Sequence, residues 1–139
     1  MSKLETWMTL EYAKTVPGTV ILEFLAVKAS KGVGARRLDA LIVKDGEYRE
    51  AKPSEHVNID GQDVIIVQTK ARRLGMAVMG QAVFSIELVK RHFKPKSVRA
   101  VIVCTGHDAE LEALLLPHTD VEVWIAPDKP TGAQMANKG

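Results

Sequence analysis

Three polar residues interrupt three apolar segments of the sequence, and their types could support metal-assisted chemistry. Glu23 stands in ILEFL, Asp39 in RLDALIV and Gln68 in IIVQTK. A charge inside a buried strand is costly unless it is paired or binds a metal ion. Carboxylate and amide oxygens are the ligands that Mg²⁺ or Mn²⁺ accepts in proteins. We therefore interpret Asp39, Gln68 and Glu23 as candidate ligands of a divalent cation, although Gln68 could instead orient a water molecule of the ion.

Lys70 adds a positive charge beside these oxygens. It follows Gln68 by two residues, so the two side chains should lie on the same face of a strand. A bound cation can polarise a phosphate and activate a water molecule, while a lysine ammonium stabilises the negative charge that develops. The combination predicts phosphodiester hydrolysis, with Asp39, Gln68 and Lys70 as the catalytic residues.

The hydrophobic pattern predicts the elements that position these residues. The predicted helices are residues 4–15, 73–92 and 108–116, and the predicted strands are residues 19–27, 36–44, 63–70, 97–105 and 121–126. Residues 45–62 are polar and turn-rich and are expected to form a short edge ribbon or a long connection. The third strand, the second helix and the fourth strand form a βαβ unit with parallel strands. The apolar stripe of that helix is predicted to comprise Leu74, Val78, Ala82, Phe84 and Leu88.

The first two strands are expected to form a hairpin. If the hairpin turns near residues 31 and 32, Glu23 lies opposite or nearly opposite Asp39. Two adjacent carboxylates repel, which raises one pKa unless a cation neutralises them. Glu23 could instead pair with Arg36 or Arg37 across the hairpin.

Length and composition favour an ordinary α/β protein. The chain has 139 residues, of which 46% are hydrophobic and only 5% aromatic, so an aliphatic core in one domain is expected. We assign residues 1–127 to a single α/β domain and residues 128–139 to a flexible tail. The single cysteine excludes an internal disulfide, and we find no signal peptide and no apolar run long enough for a membrane span. A cytoplasmic location without a membrane partner is therefore expected.

A nucleic-acid partner is predicted from local clustering of charge, because the formal net charge is only +2. Five basic residues flank the predicted site and could contact backbone phosphates: Lys31, Arg36, Arg37, Arg72 and Arg73. Each of these residues alone is typical of a solvated surface. Together they favour binding of a polyanion next to the predicted cation site.

These residues resemble the PD-(D/E)xK, or restriction-endonuclease-like, nuclease superfamily. In that family a helix is followed by a three-stranded meander, a second helix and a fourth strand, and the resemblance covers roughly residues 4–105. Asp39 matches the aspartate of the second strand, and Gln68 and Lys70 match the terminal pair of the third strand in its Gln-x-Lys variant. Either Glu11 or Glu23 could match a further glutamate of the family.

One further position extends the resemblance. Gln81 is similar to a helix glutamine of RecB-type nucleases, although Ser85 stands where those enzymes carry a tyrosine. The resemblance implies a mixed central sheet flanked by helices, with an α-β-β-β-α-β core plus an extra helix and strand. It also implies a nuclease that depends on Mg²⁺ or Mn²⁺ and whose expected substrate is DNA in preference to RNA. A homodimer or partner would supply sequence specificity, because so small a chain has little surface for reading bases.

Three other interpretations are consistent with the same sequence. Gln68 is neutral, so the chain could be an inactive nuclease-fold protein that serves as a nucleic-acid-binding or assembly subunit. Asp39, Gln68 and Lys70 could also be ordinary polar residues on a half-exposed face of the sheet. Cys104, at the end of the fourth strand, could be a nucleophile with the nearby His107 as its general base.

Overall fold

The computed structural model describes residues 1–130, which form a six-stranded mixed sheet with helices on both faces. The helices are α1 (Lys3–Ala13), α2 (Met76–His92) and α3 (Ala109–Leu115), and the strands are β1 (Gly18–Val27), β2 (Arg36–Lys44), β3 (Arg49–Glu50), β4 (Asp63–Thr69), β5 (Ser97–Cys104) and β6 (Val121–Ile125). Residues 131–139, most of the predicted tail of residues 128–139, lie outside the described residues. Within residues 1–130, no helix is long and apolar enough to cross a membrane.

The strand order is β3-β1-β2-β4-β5-β6. Strands β1, β2 and β4 form an antiparallel meander, and β4, β5 and β6 run parallel. Helix α2 makes the crossover between β4 and β5, as the apolar pattern predicts. The predicted fold class, a mixed sheet flanked by helices, is confirmed. The polar excursion after β2 includes only the two-residue edge strand β3, which pairs with β1.

Helix α1 begins with a capping box and covers one face of the sheet. The Ser2 hydroxyl accepts a hydrogen bond of 3.1 Å from the backbone amide of Glu5, and the Glu5 carboxylate accepts one of 3.2 Å from the amide of Ser2. Met8 and Tyr12 are buried against the sheet, and Tyr12 packs edge-on against Trp124 of β6. The helix thus spans the middle of the sheet on the side opposite α2.

Helix α2 differs from the prediction in its start and in its apolar stripe, because Leu74 precedes the helix, Leu88 is only partly buried and Phe84 is exposed. It begins at Met76 because Gly75 adopts an extended conformation at the N-cap. The buried stripe comprises Val78, Met79, Ala82, Ser85, Ile86 and Val89. Phe84 lies two residues out of phase with Ala82 and Ile86, so its side chain is 70% exposed and its predicted place in the core is wrong.

The alternation of side chains along β4 connects two cores. Val64 and Ile66 pack on the α2 side of the sheet, whereas Ile65 and Val67 pack on the α1 side. All four are buried, which explains the continuous apolar run in the sequence. The same alternation sends Gln68 towards α2 and lets the next residue reach α1.

Candidate active site

The main-chain pairing of β2 with β4 ends at Ala40 and Val67, and side chains join the strands beyond that point. The amide of Thr69 donates a hydrogen bond of 2.7 Å to Oδ2 of Asp39. The amide of Asp39 in turn faces Oε1 of Gln68 at 3.4 Å. These contacts hold Asp39 and Gln68 side by side where the two strands separate.

A cleft of about 550 Å³ opens at this end of the strands. Its lining includes most of the predicted site residues, namely Arg36, Arg37, Asp39, Gln68, Lys70 and Gln81. It also includes residues that were not predicted, namely Met1, Glu5, Leu38, Thr69, Gly80, Phe84, Ser85 and Leu88. The fold therefore brings an acid, an amide and several cationic groups into one concave surface.

Asp39 is half-buried, and its environment favours a bound cation. Burial raises the pKa of its carboxyl above the ordinary value of 3.8, while the hydrogen bond from Thr69 opposes the rise and the charge of Glu23 adds to it. Its Oδ1 accepts no hydrogen bond from residues 1–130. A positive ion in the cleft would relieve this poorly solvated charge.

Gln68 is only 6% exposed, and both ends of its amide have partners. Its Nε2 donates a hydrogen bond of 2.8 Å to Oγ of Ser85, and Oγ of Ser85 donates to the backbone carbonyl of Gln81 one turn earlier in α2. The oxygen of the Gln68 amide consequently faces Asp39. Gln81 contributes its carbonyl to this chain of contacts, while its own side chain is exposed along the cleft.

Lys70 is half-buried at the end of β4 and lines the cleft. Its backbone amide donates a hydrogen bond of 2.9 Å to the carbonyl of Val103, which extends the contact with β5 by one residue. No carboxylate of residues 1–130 lies within salt-bridge distance of its ammonium group. The positive charge is thus available to an anion in the cleft.

Glu5 of α1 is the acidic residue that sequence reasoning missed. Its Oε2 accepts a hydrogen bond of 3.1 Å from the amide of Ala71, and it lines the cleft beside Lys70. Burial raises the pKa of its carboxyl, but hydrogen bonds from the amides of Ser2 and Ala71 and the charge of Lys70 outweigh this, so the pKa is lowered. The Ser-x-x-Glu pattern reveals the helix cap, whereas nothing in it reveals the contact with the end of β4.

Two other glutamates were candidates to complete the site, and neither lines the cleft. Glu11 forms an ion pair of 2.8 Å with Lys14 on the surface of α1. Glu23 lies across from Asp39 in the hairpin, because Leu22 and Phe24 pair with the residues on either side of it. Its half-exposed carboxylate lies 3.3 Å from the amino group of Met1.

The backbone of Glu23 is unusual for a strand. Its φ of 51° is left-handed, and β1 and β2 do not pair at this residue. Its carbonyl accepts a hydrogen bond of 2.8 Å from Arg37, so the arginine meets the main chain of Glu23 and not its carboxylate. The predicted alternative of a side-chain pair between Glu23 and Arg36 or Arg37 does not form.

The basic residues divide into two groups. Arg36 and Arg37 are exposed on the rim of the cleft, together with the exposed ring of Phe84. The other three predicted phosphate contacts, Lys31, Arg72 and Arg73, are exposed but do not line the cleft. Arg73 forms an isolated parallel β-bridge with Gly106 through the main chain, which holds the segment after β4 against the end of β5.

Cys104 and His107 do not act together as a nucleophile and its general base. The thiol of Cys104 is fully buried and lies 3.6 Å from the carbonyl of Gly106, and burial raises its pKa. His107 is directed to Glu112, with 2.8 Å between Nδ1 and Oε1. A buried, protonated thiol without a neighbouring base is a poor nucleophile.

The donor set around Asp39 fits a hard cation that keeps much of its own water. No cluster of three or more His, Cys, Asp or Glu side chains with the geometry of a metal site occurs within residues 1–130. Mg²⁺ is commonly held by one or two carboxylates and several waters. Asp39, the amide oxygen of Gln68 and the open cleft meet that lower requirement, whereas they would not suit zinc.

The sequence matches no protein-family model and no curated protein sequence. The fold is similar to two solved structures. One is a repair endonuclease from Pyrococcus abyssi, with a TM-score of 0.57 and 13% identity over 91% of this chain and 48% of that one. The other is an EndoMS complex with double-stranded DNA, with a TM-score of 0.56 and 13% identity over 92% of this chain and 46% of that one. The chain therefore spans about half the length of two endonuclease structures and shares the fold of that half.

Proposed function

We propose that this chain is a divalent-metal-dependent nuclease that hydrolyses phosphodiester bonds in DNA. The observation that carries the proposal is the meeting of Asp39, Gln68 and Lys70 in one cleft at the open ends of β2 and β4. The cleft combines oxygen ligands for a cation with an ammonium group for a phosphate. The fold of the chain is similar to two endonuclease structures, which supports phosphodiester hydrolysis as the reaction.

Asp39 would hold Mg²⁺ or Mn²⁺ through its open carboxylate oxygen, and Gln68 would contribute its amide oxygen. When bound, such an ion polarises a phosphate and lowers the pKa of a coordinated water. Glu23 remains a candidate only through a water molecule or through its charge, since its carboxylate is engaged with Met1. Glu5 is better placed to accept a proton or to orient Lys70, because it lines the same cleft.

Lys70 would donate hydrogen bonds to the phosphate oxygens on which negative charge develops. Arg36 and Arg37 would contact neighbouring phosphates along the rim, and Phe84 would offer an apolar face to a base. Lys31, Arg72 and Arg73 would contact more distant parts of the strand. The basic groups thus continue the surface of the cleft outward.

DNA is the proposed substrate because one similar structure is a complex with double-stranded DNA and the other is a repair endonuclease. Both similar chains are about twice as long as the segment that matches. A homodimer or a partner would supply the additional surface that recognition of a DNA site requires.

A second candidate function is an inactive nuclease-fold subunit that binds nucleic acid. It is favoured by the neutral Gln68, whose amide already has partners within the chain, and by the absence within residues 1–130 of three or more His, Cys, Asp or Glu side chains grouped so that they could hold a metal ion. This form would bind DNA through its basic rim and would bind no metal.

Cleavage of mixed single-stranded and double-stranded DNA and RNA, with Mn²⁺ or with a chelator, distinguishes the two functions. We expect metal-dependent cleavage of DNA that falls on the order of 100- to 1000-fold in Lys70→Ala. Lys44→Ala is the matched control, because Lys44 is an exposed lysine at the opposite end of β2. Absence of both cleavage and Mn²⁺ binding in the wild type would favour the inactive subunit, and equal cleavage by the wild type and Lys70→Ala would place catalysis elsewhere.

A further inference from the structure

The orientation of the Gln68 amide is determined by Ser85. A hydroxyl group has one proton, and Ser85 donates its proton to the carbonyl of Gln81. Towards Gln68, Ser85 can therefore only accept a hydrogen bond. The NH₂ group must face it, as the 2.8 Å contact from Nε2 to Oγ indicates, and Oε1 must face the other way.

The opposite orientation would place like groups together at both ends of the amide. Oε1 would face the lone pairs of Ser85, and the NH₂ group would face the backbone N–H of Asp39. It would also present two protons to any cation held by Asp39. Because Gln68 and Ser85 are 6% and 3% exposed, little water is available to relieve these conflicts.

We infer that Ser85 is a positioning residue that lets a glutamine serve as an oxygen ligand at this site. The inference rests on the proposed function. A glutamate at position 68 would present oxygen in either orientation, whereas a glutamine requires a neighbour that accepts a hydrogen bond and cannot donate one. Ser85 becomes such a neighbour because its hydroxyl is already bonded within α2.

Four proteins test the inference through Mn²⁺ binding, measured by calorimetry: the wild type, Ser85→Ala, Gln68→Glu and the double variant. We expect Ser85→Ala to weaken binding about tenfold in the wild-type background, the low end of the effect of residues that orient metal ligands. In the Gln68→Glu background the same change should matter less than about threefold, because both ends of a carboxylate are oxygen. Equal losses in the two backgrounds would mean that Ser85 acts through packing alone.

A second variant guards against a cavity effect. Ser85→Cys leaves no cavity but replaces a good acceptor with a weak one, so it should lose affinity as Ser85→Ala does. Retained affinity in a folded Ser85→Cys protein would contradict the inference.

A metal-free measurement separates this inference from the proposed function. The side-chain NH₂ protons of Gln68 should exchange slowly with water in the wild type and markedly faster in both Ser85 variants, as followed by NMR. Fast exchange in the wild type would overturn the assigned orientation. Slow exchange in a wild type that binds no Mn²⁺ would leave the orientation intact and overturn the ligand role together with the proposed function.

Discussion

The carboxylate of Asp39 accepts a 2.7 Å hydrogen bond from the amide of Thr69 at the point where β2 and β4 stop pairing through their main chains. One oxygen of the side chain is thus used to hold the strands together, and the other is left for the cleft. A residue in this position serves both the fold and the site, and the two roles can be separated by substitution.

Asp39→Asn is expected to abolish metal binding without weakening the fold. Asparagine keeps an oxygen that can accept from Thr69, while it removes a half-buried charge whose pKa is raised by burial. Residues that merely orient metal ligands contribute about 10- to 100-fold to affinity, so loss of the proposed ligand should cost more than about 100-fold. Calorimetry with Mn²⁺ tests the loss of metal binding, and urea unfolding at neutral pH tests the stability of the fold. A clearly lowered unfolding midpoint would contradict the prediction that the fold is not weakened.

The stability of the metal-free protein should depend on pH through Asp39. Its pKa is higher in the folded chain than the 3.8 of an exposed aspartate, so between the two values the folded state binds more protons than the unfolded state. The contribution of Asp39 to the free energy of unfolding therefore decreases as the pH rises through that window. Urea unfolding at several pH values should show a component with this sign in the wild type that disappears in Asp39→Asn.

Replacing both Arg36 and Arg37 by alanine should weaken DNA binding in a salt-dependent way. Each phosphate contact to duplex DNA contributes about 0.9 to the slope of log affinity against log salt. If both arginines on the rim contact phosphates, the slope should become shallower by about 2 in the double variant. Titrations at several salt concentrations measure the slope, with Lys44→Ala as the control that should leave it unchanged. An unaltered slope in the double variant would place the DNA elsewhere on the surface.

Phe84→Ala should weaken binding of single-stranded DNA about tenfold, because stacking of one base on an aromatic ring contributes ~1–3 kcal/mol. Met76→Ala is a matched control, since Met76 is equally exposed at 70% on the same helix but does not line the cleft. Fluorescence anisotropy with a labelled oligonucleotide, in the absence of metal, measures the difference. Equal affinities of the two variants would show that Phe84 does not contact a base.

The hydroxyl groups of Thr9 and Thr69 lie 2.7 Å apart in the interior, where α1 meets the end of β4. Thr9→Val should lower the free energy of unfolding by about 1–3 kcal/mol, because it leaves the hydroxyl of Thr69 buried without this partner. Adding Thr69→Val should cost less than a second loss of that size, since no unpaired hydroxyl then remains. Urea unfolding of the two single variants and the double variant measures the coupling, and strictly additive losses would argue against it.

The strands, the hairpin of β1 and β2 and the parallel pairing of β4 with β5 follow from local signals in the sequence, whereas the place of β4 beside β2 is implied only by the family resemblance. Runs of branched residues bounded by glycines predict the hairpin, and Leu22 and Phe24 pair with Ala40 and Leu38, so Glu23 does lie across from Asp39. The left-handed backbone of Glu23 depends on its tertiary contacts. The hydrophobic periodicity of the sequence carries no information about those contacts.

The partners of the site residues could not be predicted for the same reason. Glu5 and Ser85 reach the site from helices that lie on opposite faces of the sheet. Their positions depend on how α1 and α2 rest on the strands, and a capping box or an apolar stripe does not specify that. The sequence predicts a buried Phe84 because it lies close to the apolar stripe of α2. Its exposure follows only from the rotation of the helix about its axis, which the sequence does not specify.

Two side chains of helix α1 are hydrogen-bonded to the site: Glu5 accepts from the amide of Ala71, and the hydroxyl of Thr9 meets that of Thr69. The helix shares no backbone ladder with the sheet, so we expect it to detach at a lower free energy than the strands beneath it. The amide of Ala71 should accordingly exchange with solvent earlier than those of β4, and heating should inactivate the protein before its sheet melts. The site would then be lost in a local opening of the first helix, well ahead of global denaturation.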